Sequence, residues 1–292
     1  MNKDFYPHRS ALYMPGSNER ALEKAKTLSA DLFIFDFEDS VSPENKEMAR
    51  DLVSRVLTKQ KGEYGQKKII TRVNSIDTKW GQLDIEALEN CQTDGILFPK
   101  VNDVGDIKNI RQKTSDLNLT NKIEIWIMVE TPKCILNLQS ILEEFRDLKG
   151  IVVGTNDLAK DIGLPKQADR FGLIHSLASI VLMAKAYNVL CLDGVYNRIG
   201  DEEGLSRELF EGKRLGYDGK TLIHPNQIAK TNEIFSPSDE EIEIAEKYIK
   251  AFKEAEKAKK GVITVDGVLV EELHVKQAKA TLEKVKIINK IS

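Results

Sequence analysis

Short apolar runs rich in β-branched residues recur along this chain, and each breaks off at a charged or polar residue. From Ile125 to Val129 every position is apolar, and Glu130 follows at once. A strand with one wet face alternates apolar and polar residues, so a continuous run indicates a strand buried on both faces, as in a parallel sheet covered by helices. The same reading applies to Ser10–Gly16, Asp31–Asp39, Lys67–Asn74, Gly95–Val101, Gly150–Asp157, Val189–Val195 and Gly219–Pro225. Helical spacing separates them, for example Ala21, Leu22, Ala25 and Leu28 after the first run, and Lys133–Phe145, Asp169–Tyr187 and Glu202–Leu215 later. Asn18 or Ser17 is placed to cap the first helix, and Ser42 followed by Pro43 reads as the start of the next.

Eight strand–helix units at a spacing of about thirty residues have the count and period of a (β/α)₈ barrel. The expected fold class is therefore α/β, a (β/α)₈ TIM barrel over residues 1–235 with a C-terminal helical extension over 236–292. A doubly wound open sheet of eight strands is the competing architecture. In the extension, Ser236-Pro-Ser-Asp-Glu-Glu starts a helix that the Lys/Glu/Ala-rich run continues to Lys260 as a solvated face with i,i+4 charge pairs. Asp266-Gly267 between two short apolar pieces is a hairpin signal, and a final helix runs from Glu272 to Ile288.

At 292 residues the chain can bury a large core, and a net charge of −3 gives no reason to expect a nucleic-acid or membrane-surface partner. The first ten residues lack a signal-peptide core and no run approaches a membrane span, so the expected location is cytoplasmic. Cys91, Cys134 and Cys191 are isolated and odd in number, which indicates reduced structural thiols and argues against a zinc site. No Gly-x-Gly-x-x-Gly or Walker sequence occurs, so neither dinucleotide nor P-loop binding is supported.

In such a barrel the loops after the strands gather the chemistry at one end. The expected strand ends carry Glu38, Asp39, Arg72, Lys100, Glu130, Asp157, Asp193 and His224. If the runs ending at Glu130 and Asp157 are neighbouring strands, their ends lie about 5 Å apart and two carboxylates can share one cation. Two oxygen donors without a soft ligand suit Mg²⁺, which keeps waters and takes one or two carboxylates plus substrate oxygens. The alternative is that Asp157 caps the next helix and Glu130 pairs with a lysine. Asp36 and Glu38 share a strand face by period two, so at least one should reach the barrel mouth. Arg72 can hold a carboxylate or an enolate oxygen, or simply bridge to Glu38 or Asp39. His224 is a base or a structural hydrogen-bonding group.

Leu12-Tyr-Met-Pro-Gly-Ser-Asn, Phe35-Asp-Phe-Glu-Asp-Ser-Val, Arg72-Val-Asn-Ser-Ile-Asp-Thr-Lys-Trp-Gly, Phe98-Pro-Lys-Val, Val129-Glu-Thr, Gly154-Thr-Asn-Asp-Leu, Gly216-Tyr-Asp-Gly-Lys and Ile223-His-Pro occur in that order. Together they resemble the citrate lyase β subunit and malyl-CoA lyase group of the HpcH/HpaI aldolase superfamily. The resemblance implies Mg²⁺-dependent cleavage or formation of a carbon–carbon bond in a 3-hydroxyacyl thioester (citryl-, malyl- or citramalyl-), giving an acetyl thioester and a 2-oxo acid. It implies Glu130 and Asp157 as metal ligands, Arg72 as the substrate arginine, Glu38 and Asp39 as acids behind the substrate, and Arg9 and Lys24 as cations near the CoA phosphates. Related CoA lyases move the proton with an aspartate delivered by a neighbouring subunit; Glu271 stands at that position here, a carboxylate one methylene longer. The resemblance thus also implies a homo-oligomer, trimer or hexamer, whose extension packs on an adjacent barrel, and citrate lyase α and acyl-carrier subunits as partners if the chain serves such a complex. Two other activities are open: hydrolysis of a malyl-CoA-type thioester, and a weakly catalytic subunit that binds 2-oxo acid and CoA.

Overall fold

The computed structural model describes residues 6–117, 119, 123–165, 169–257 and 263–291. Eight parallel strands close into a barrel in chain order: β1 (Ser10–Pro15), β2 (Leu32–Asp36), β3 (Lys68–Arg72), β4 (Gly95–Phe98), β5 (Glu124–Val129), β6 (Gly150–Val153), β7 (Leu190–Asp193) and β8 (Gly219–Leu222), with β8 pairing back onto β1. Closure in sequential order excludes the doubly wound sheet. The helices between them are α1 (Glu19–Ala25), α2 (Lys46–Lys59), α3 (Gly81–Leu88), α4 (Val104–Asp116), α5 (Pro132–Glu144), α6 (Thr155–Asp161), α7 (Ile174–Ala186) and α8 (Glu202–Leu215), followed by α9 (Ile228–Phe235).

The strands other than β5 stop one to four residues before the apolar runs suggest. Glu38, Lys100 and Asp157 therefore stand on the loops, or on the helix, just beyond the staves. Asn18 caps α1 by accepting from the Ala21 N–H at 3.1 Å. Ser42 makes no such bond: Pro43–Asn45 forms a short 3₁₀ turn, and α2 begins only at Lys46. Lys46 explains the delay, because its buried ammonium reaches back to donate to the carbonyls of Phe37 and Glu38 and to Asn74 Oδ1, at 2.7–2.8 Å.

The barrel interior is filled by Ala11, Leu32, Ile34, Ile70, Leu97, Trp126, Met128, Val152 and Leu192, all buried. Trp126 fits because its neighbour on β6 has no side chain: a Cβ at Gly150 would lie 2.1 Å from the indole. With inward positions so filled, the barrel is a packed core rather than a pore, and room for a ligand remains above it.

Chain contacts divide into the barrel body, His8–Asn232, and a smaller unit formed mainly by Glu233–Ser292. In the smaller unit α10 (Asp239–Lys257) packs on α11 (Glu272–Ile291), and β9 (Ile263–Val265) and β10 (Val268–Val270) form an antiparallel hairpin. Ser238 and Glu241 cap α10 reciprocally, the Glu241 N–H donating to Ser238 Oγ and the Ser238 N–H to Glu241 Oε2. Residues 258–260, the expected end of that helix, lie outside the described residues. Among the described residues, no helix is long and apolar enough to cross a membrane.

Candidate active site

Parallel pairing of β4, β5 and β6 puts their C-terminal ends side by side: Phe98 aligns with Ile127, and Val129 with Val153. The next residue on β5 is Glu130, whose carboxylate is 3% exposed and accepts the Lys100 N–H at 2.7 Å. Gly154 makes room for it, since a Cβ there would fall 2.4 Å from Glu130 Cβ and 2.7 Å from Oε2. Asp157 follows in the first turn of α6. It does not cap that helix, whose N-cap is Gly154 with no side-chain bond. Its carboxylate instead pairs with the Lys100 ammonium, which also stands 3.4 Å from Glu130 Oε1. The lysine partner that the alternative reading assigns to Glu130 is thus present, and it is the partner of Asp157 as well. The two carboxylates converge on one positive charge.

Arg72 ends β3 and enters the same mouth. Asp36, its register partner at the end of β2, takes Nε and Nη2 in a two-pronged bond of 2.7 Å each. Nη1 is 2.8 Å from Glu38 Oε2 and 3.5 Å from Asp39 Oδ2, but the Glu38 contact is oblique, and Oε2 has no hydrogen-bond partner among the described residues. The guanidinium lies over the Tyr13 ring at 4.8 Å, and Nη1 points to the Met128 sulfur at 3.7 Å. The anchoring acid is therefore Asp36, with Glu38 and Asp39 as secondary neighbours, and both members of the Asp36/Glu38 face reach the mouth.

Burial by itself would raise the Asp36 carboxyl; the adjacent guanidinium outweighs it and holds the group below the usual carboxylate range. Glu38 goes the other way, because burial pushes its carboxyl up to about 7 against the pull of Arg72, with Asp39 and Glu130 adding repulsion. Burial also pushes the Tyr13 phenol well up, so it stays neutral beneath Arg72. Tyr13, Asp36, Asp39, Arg72, Glu130 and Asp157 line one cavity of about 310 Å³. A larger depression, about 690 Å³ beside Arg170 and Arg207, is less apt for chemistry. There Arg170 is already paired with Asp193, Glu208 and Glu211, and the buried Lys220 joins Asp193 and Glu208.

The other expected site residues do not join this cluster. Arg9 immediately precedes β1, so it sits at the opposite end of the barrel, and its guanidinium holds Asp31 through Nε at 2.9 Å and Nη2 at 2.7 Å. The CoA-phosphate role expected of it is at odds with that position. Lys24 is exposed in the last turn of α1. His224 Nδ1 accepts the Asn226 N–H, a capping role. Asp193 is spent in the ion-pair network. Glu271 is exposed at the start of α11, where its carbonyl accepts the first helical N–H groups and its own N–H donates to His274 Nδ1. The cysteines are free, Cys134 and Cys191 buried and Cys91 partly so.

The fold and this mouth define a class: a (β/α)₈ enzyme with a pair of converging carboxylates beside an anchored guanidinium. The sequence profile of HpcH/HpaI aldolase/citrate lyase matches residues 9–225, and the chain belongs to that family, a family of carbon–carbon lyases. It is 45% identical to a (3S)-malyl-CoA thioesterase of Cereibacter sphaeroides, over 97% of this chain and 96% of that protein. It is 32% identical to the mitochondrial citramalyl-CoA lyase of Homo sapiens, over 95% of this chain and 85% of that one. Among solved structures it is similar to protein CitE from Mycobacterium tuberculosis in complex with magnesium and pyruvate, with a TM-score of 0.67 and 26% identity over 79% of this chain and 91% of that one.

Proposed function

We propose that the protein is a Mg²⁺-dependent lyase that cleaves or forms the carbon–carbon bond of a malyl-CoA-type 3-hydroxyacyl thioester. The observation that carries this reading is the convergence of Glu130 and Asp157 on a single cation beside Arg72. The residues suit the metal: both donors are hard oxygens, Gly154 clears the space that Glu130 needs, and a positive group already lies between the two acids. Bound there, Mg²⁺ supplies a Lewis acid for the oxygens of the 2-oxo-acid half.

The chain's own groups do the rest. Asp36 takes Nε and Nη2 of the Arg72 guanidinium, so Nη1, which donates to the Met128 sulfur and makes only an oblique contact with Glu38, is the nitrogen left to meet an oxyanion. In the cleavage direction the substrate hydroxyl passes its proton to Glu38, which is protonatable near neutrality, the carbon–carbon bond breaks, and its electron pair passes into a thioester enolate as the hydroxyl carbon becomes the carbonyl of the 2-oxo acid. Arg72 stabilises that charge from a fixed position, without reorganisation. A proton must then return to the acetyl carbon, and we assign this to Glu271 of another copy of the chain, the exposed carboxylate that ends the hairpin. This assignment makes a homo-oligomer the working form. Glu38 lies 2.8 Å from Arg72 Nη1.

Thioester hydrolysis is the second reading, favoured by 45% identity across nearly the whole chain to a malyl-CoA thioesterase. One incubation separates the two. With Mg²⁺ and (3S)-malyl-CoA, the lyase yields glyoxylate and acetyl-CoA, whereas the hydrolase yields malate and free CoA. Neither pair of products, with malyl-, citramalyl- and citryl-CoA all tested, would overturn the enzymatic reading in favour of a binding subunit.

A further inference from the structure

Lys100 adopts a backbone conformation that a lysine rarely takes, with φ at +57°. The strain is held in place by its neighbours: Asn102 Nδ2 donates to the Lys100 carbonyl, Thr131 Oγ1 donates to Asn102 Oδ1, and Asn137 Nδ2 donates to the Asn102 carbonyl. The result is that one residue serves both carboxylates in two ways. Its N–H donates to Glu130 Oε1, while its side chain folds across to bring the ammonium onto Asp157 and within 3.4 Å of Glu130. Glycine would meet the backbone requirement without strain. A lysine is explained only if the ammonium has a task there.

That task follows from charge. Two carboxylates at neighbouring strand ends repel each other, and Glu130 is almost wholly buried. The ammonium offsets the repulsion, yet it lies where a divalent ion must lie to touch both acids. An ammonium and Mg²⁺ cannot both stand there, since like charges in a partly desolvated site repel strongly. The Lys100 side chain is 36% exposed, on a flexible stem, and can swing out to solvent.

We propose that Lys100 is a place-holding cation, which keeps Glu130 and Asp157 together in the metal-free protein and yields its position when the divalent ion binds. The inference rests on the metal reading above, and its test separates the two. Mg²⁺ binding to the full-length chain is measured by calorimetry at fixed ionic strength for the wild type, Lys100→Met and Lys100→Gly. The glycine variant keeps the N–H and removes the strain, so it remains informative if the methionine variant folds poorly. The expected result is Mg²⁺ bound about tenfold more tightly once the competing charge is gone. A second readout is reductive methylation of Lys100 in the wild type, followed by mass spectrometry, which should be slow without Mg²⁺ and faster with it. Unchanged or weaker Mg²⁺ binding in the folded variants, or methylation indifferent to Mg²⁺, overturns the proposal while leaving the metal site standing. Absence of Mg²⁺ binding in the wild type removes the metal reading and this inference together.

Discussion

At the floor of the barrel Arg9 holds Asp31, Lys61 holds Asp94, and Lys68 and Lys149 share Glu124. At the mouth Asp36, Glu38, Asp39, Glu130 and Asp157 form ion pairs, among the described residues, with Arg72 and Lys100 alone. Among the floor pairs four cations meet three acids, so no negative charge is left over where the strands begin. Even with the buried Lys46 ammonium beside Phe37 and Glu38 counted, five carboxylates against three cations leave the mouth with an uncompensated negative charge where the strands end. Burying such an excess is costly unless something positive arrives. One end is therefore built for stability and the other for a ligand, although both are lined by the same residue types.

Substitutions at the two ends should separate these roles. The largest effect is expected for Glu130→Gln, which removes a metal-binding oxygen charge: turnover should fall by about a thousandfold or more, and calorimetric Mg²⁺ binding should vanish. Normal turnover in that variant would erase the distinction between the ends. Asp36→Asn should cost about a hundredfold in kcat, because Arg72 loses the fork that aims it, and about 3 kcal/mol in denaturant unfolding, because a buried guanidinium loses its partner.

The third test is in pH. Glu38 binds its proton more tightly in the native state, at about 7 against an ordinary 4.5. Between those values the native protein carries the extra proton, so the contribution of this group to stability is full below the lower value and is lost as pH rises through about 7, a change of up to about 3 kcal/mol. Glu38→Gln should remove that slope in unfolding curves recorded with chelator. The smallest effect on the reaction is expected at the floor: Asp31→Asn should lower unfolding stability by about 3 kcal/mol yet leave kcat within about twofold. A hundredfold loss there would mean that the two ends are coupled.

The barrel was legible because strands buried on both faces leave continuous apolar runs, and because eight of them recur at one period. The Glu130–Asp157 convergence was legible too, since consecutive strands of a parallel barrel are neighbours. Asp36 as the anchor of Arg72 was half legible: alternation places it with Glu38 on one face, but only the β2–β3 register sets it opposite the arginine. Lys100 was legible only as a strand-end cation; its service to both acids was hidden, because a left-handed lysine has no local signature and Phe98-Pro-Lys-Val reads as strand throughout. Arg9 teaches the reverse. Its place just before β1 already assigns it to the floor, a topological argument that outranks the resemblance to CoA lyases at this position.

The missing side chain at Gly154 has an evolutionary consequence. A spontaneous change to alanine would press a methyl group onto the Glu130 side chain, 2.4 Å from its Cβ and 2.7 Å from Oε2, and only 3.3 Å from Met128 Cε below it. Descendants carrying that change would keep the pattern of strands and helices while losing the placement of Glu130 on which the proposed chemistry depends. Kinship of fold alone is therefore a poor guide to activity among proteins of this shape.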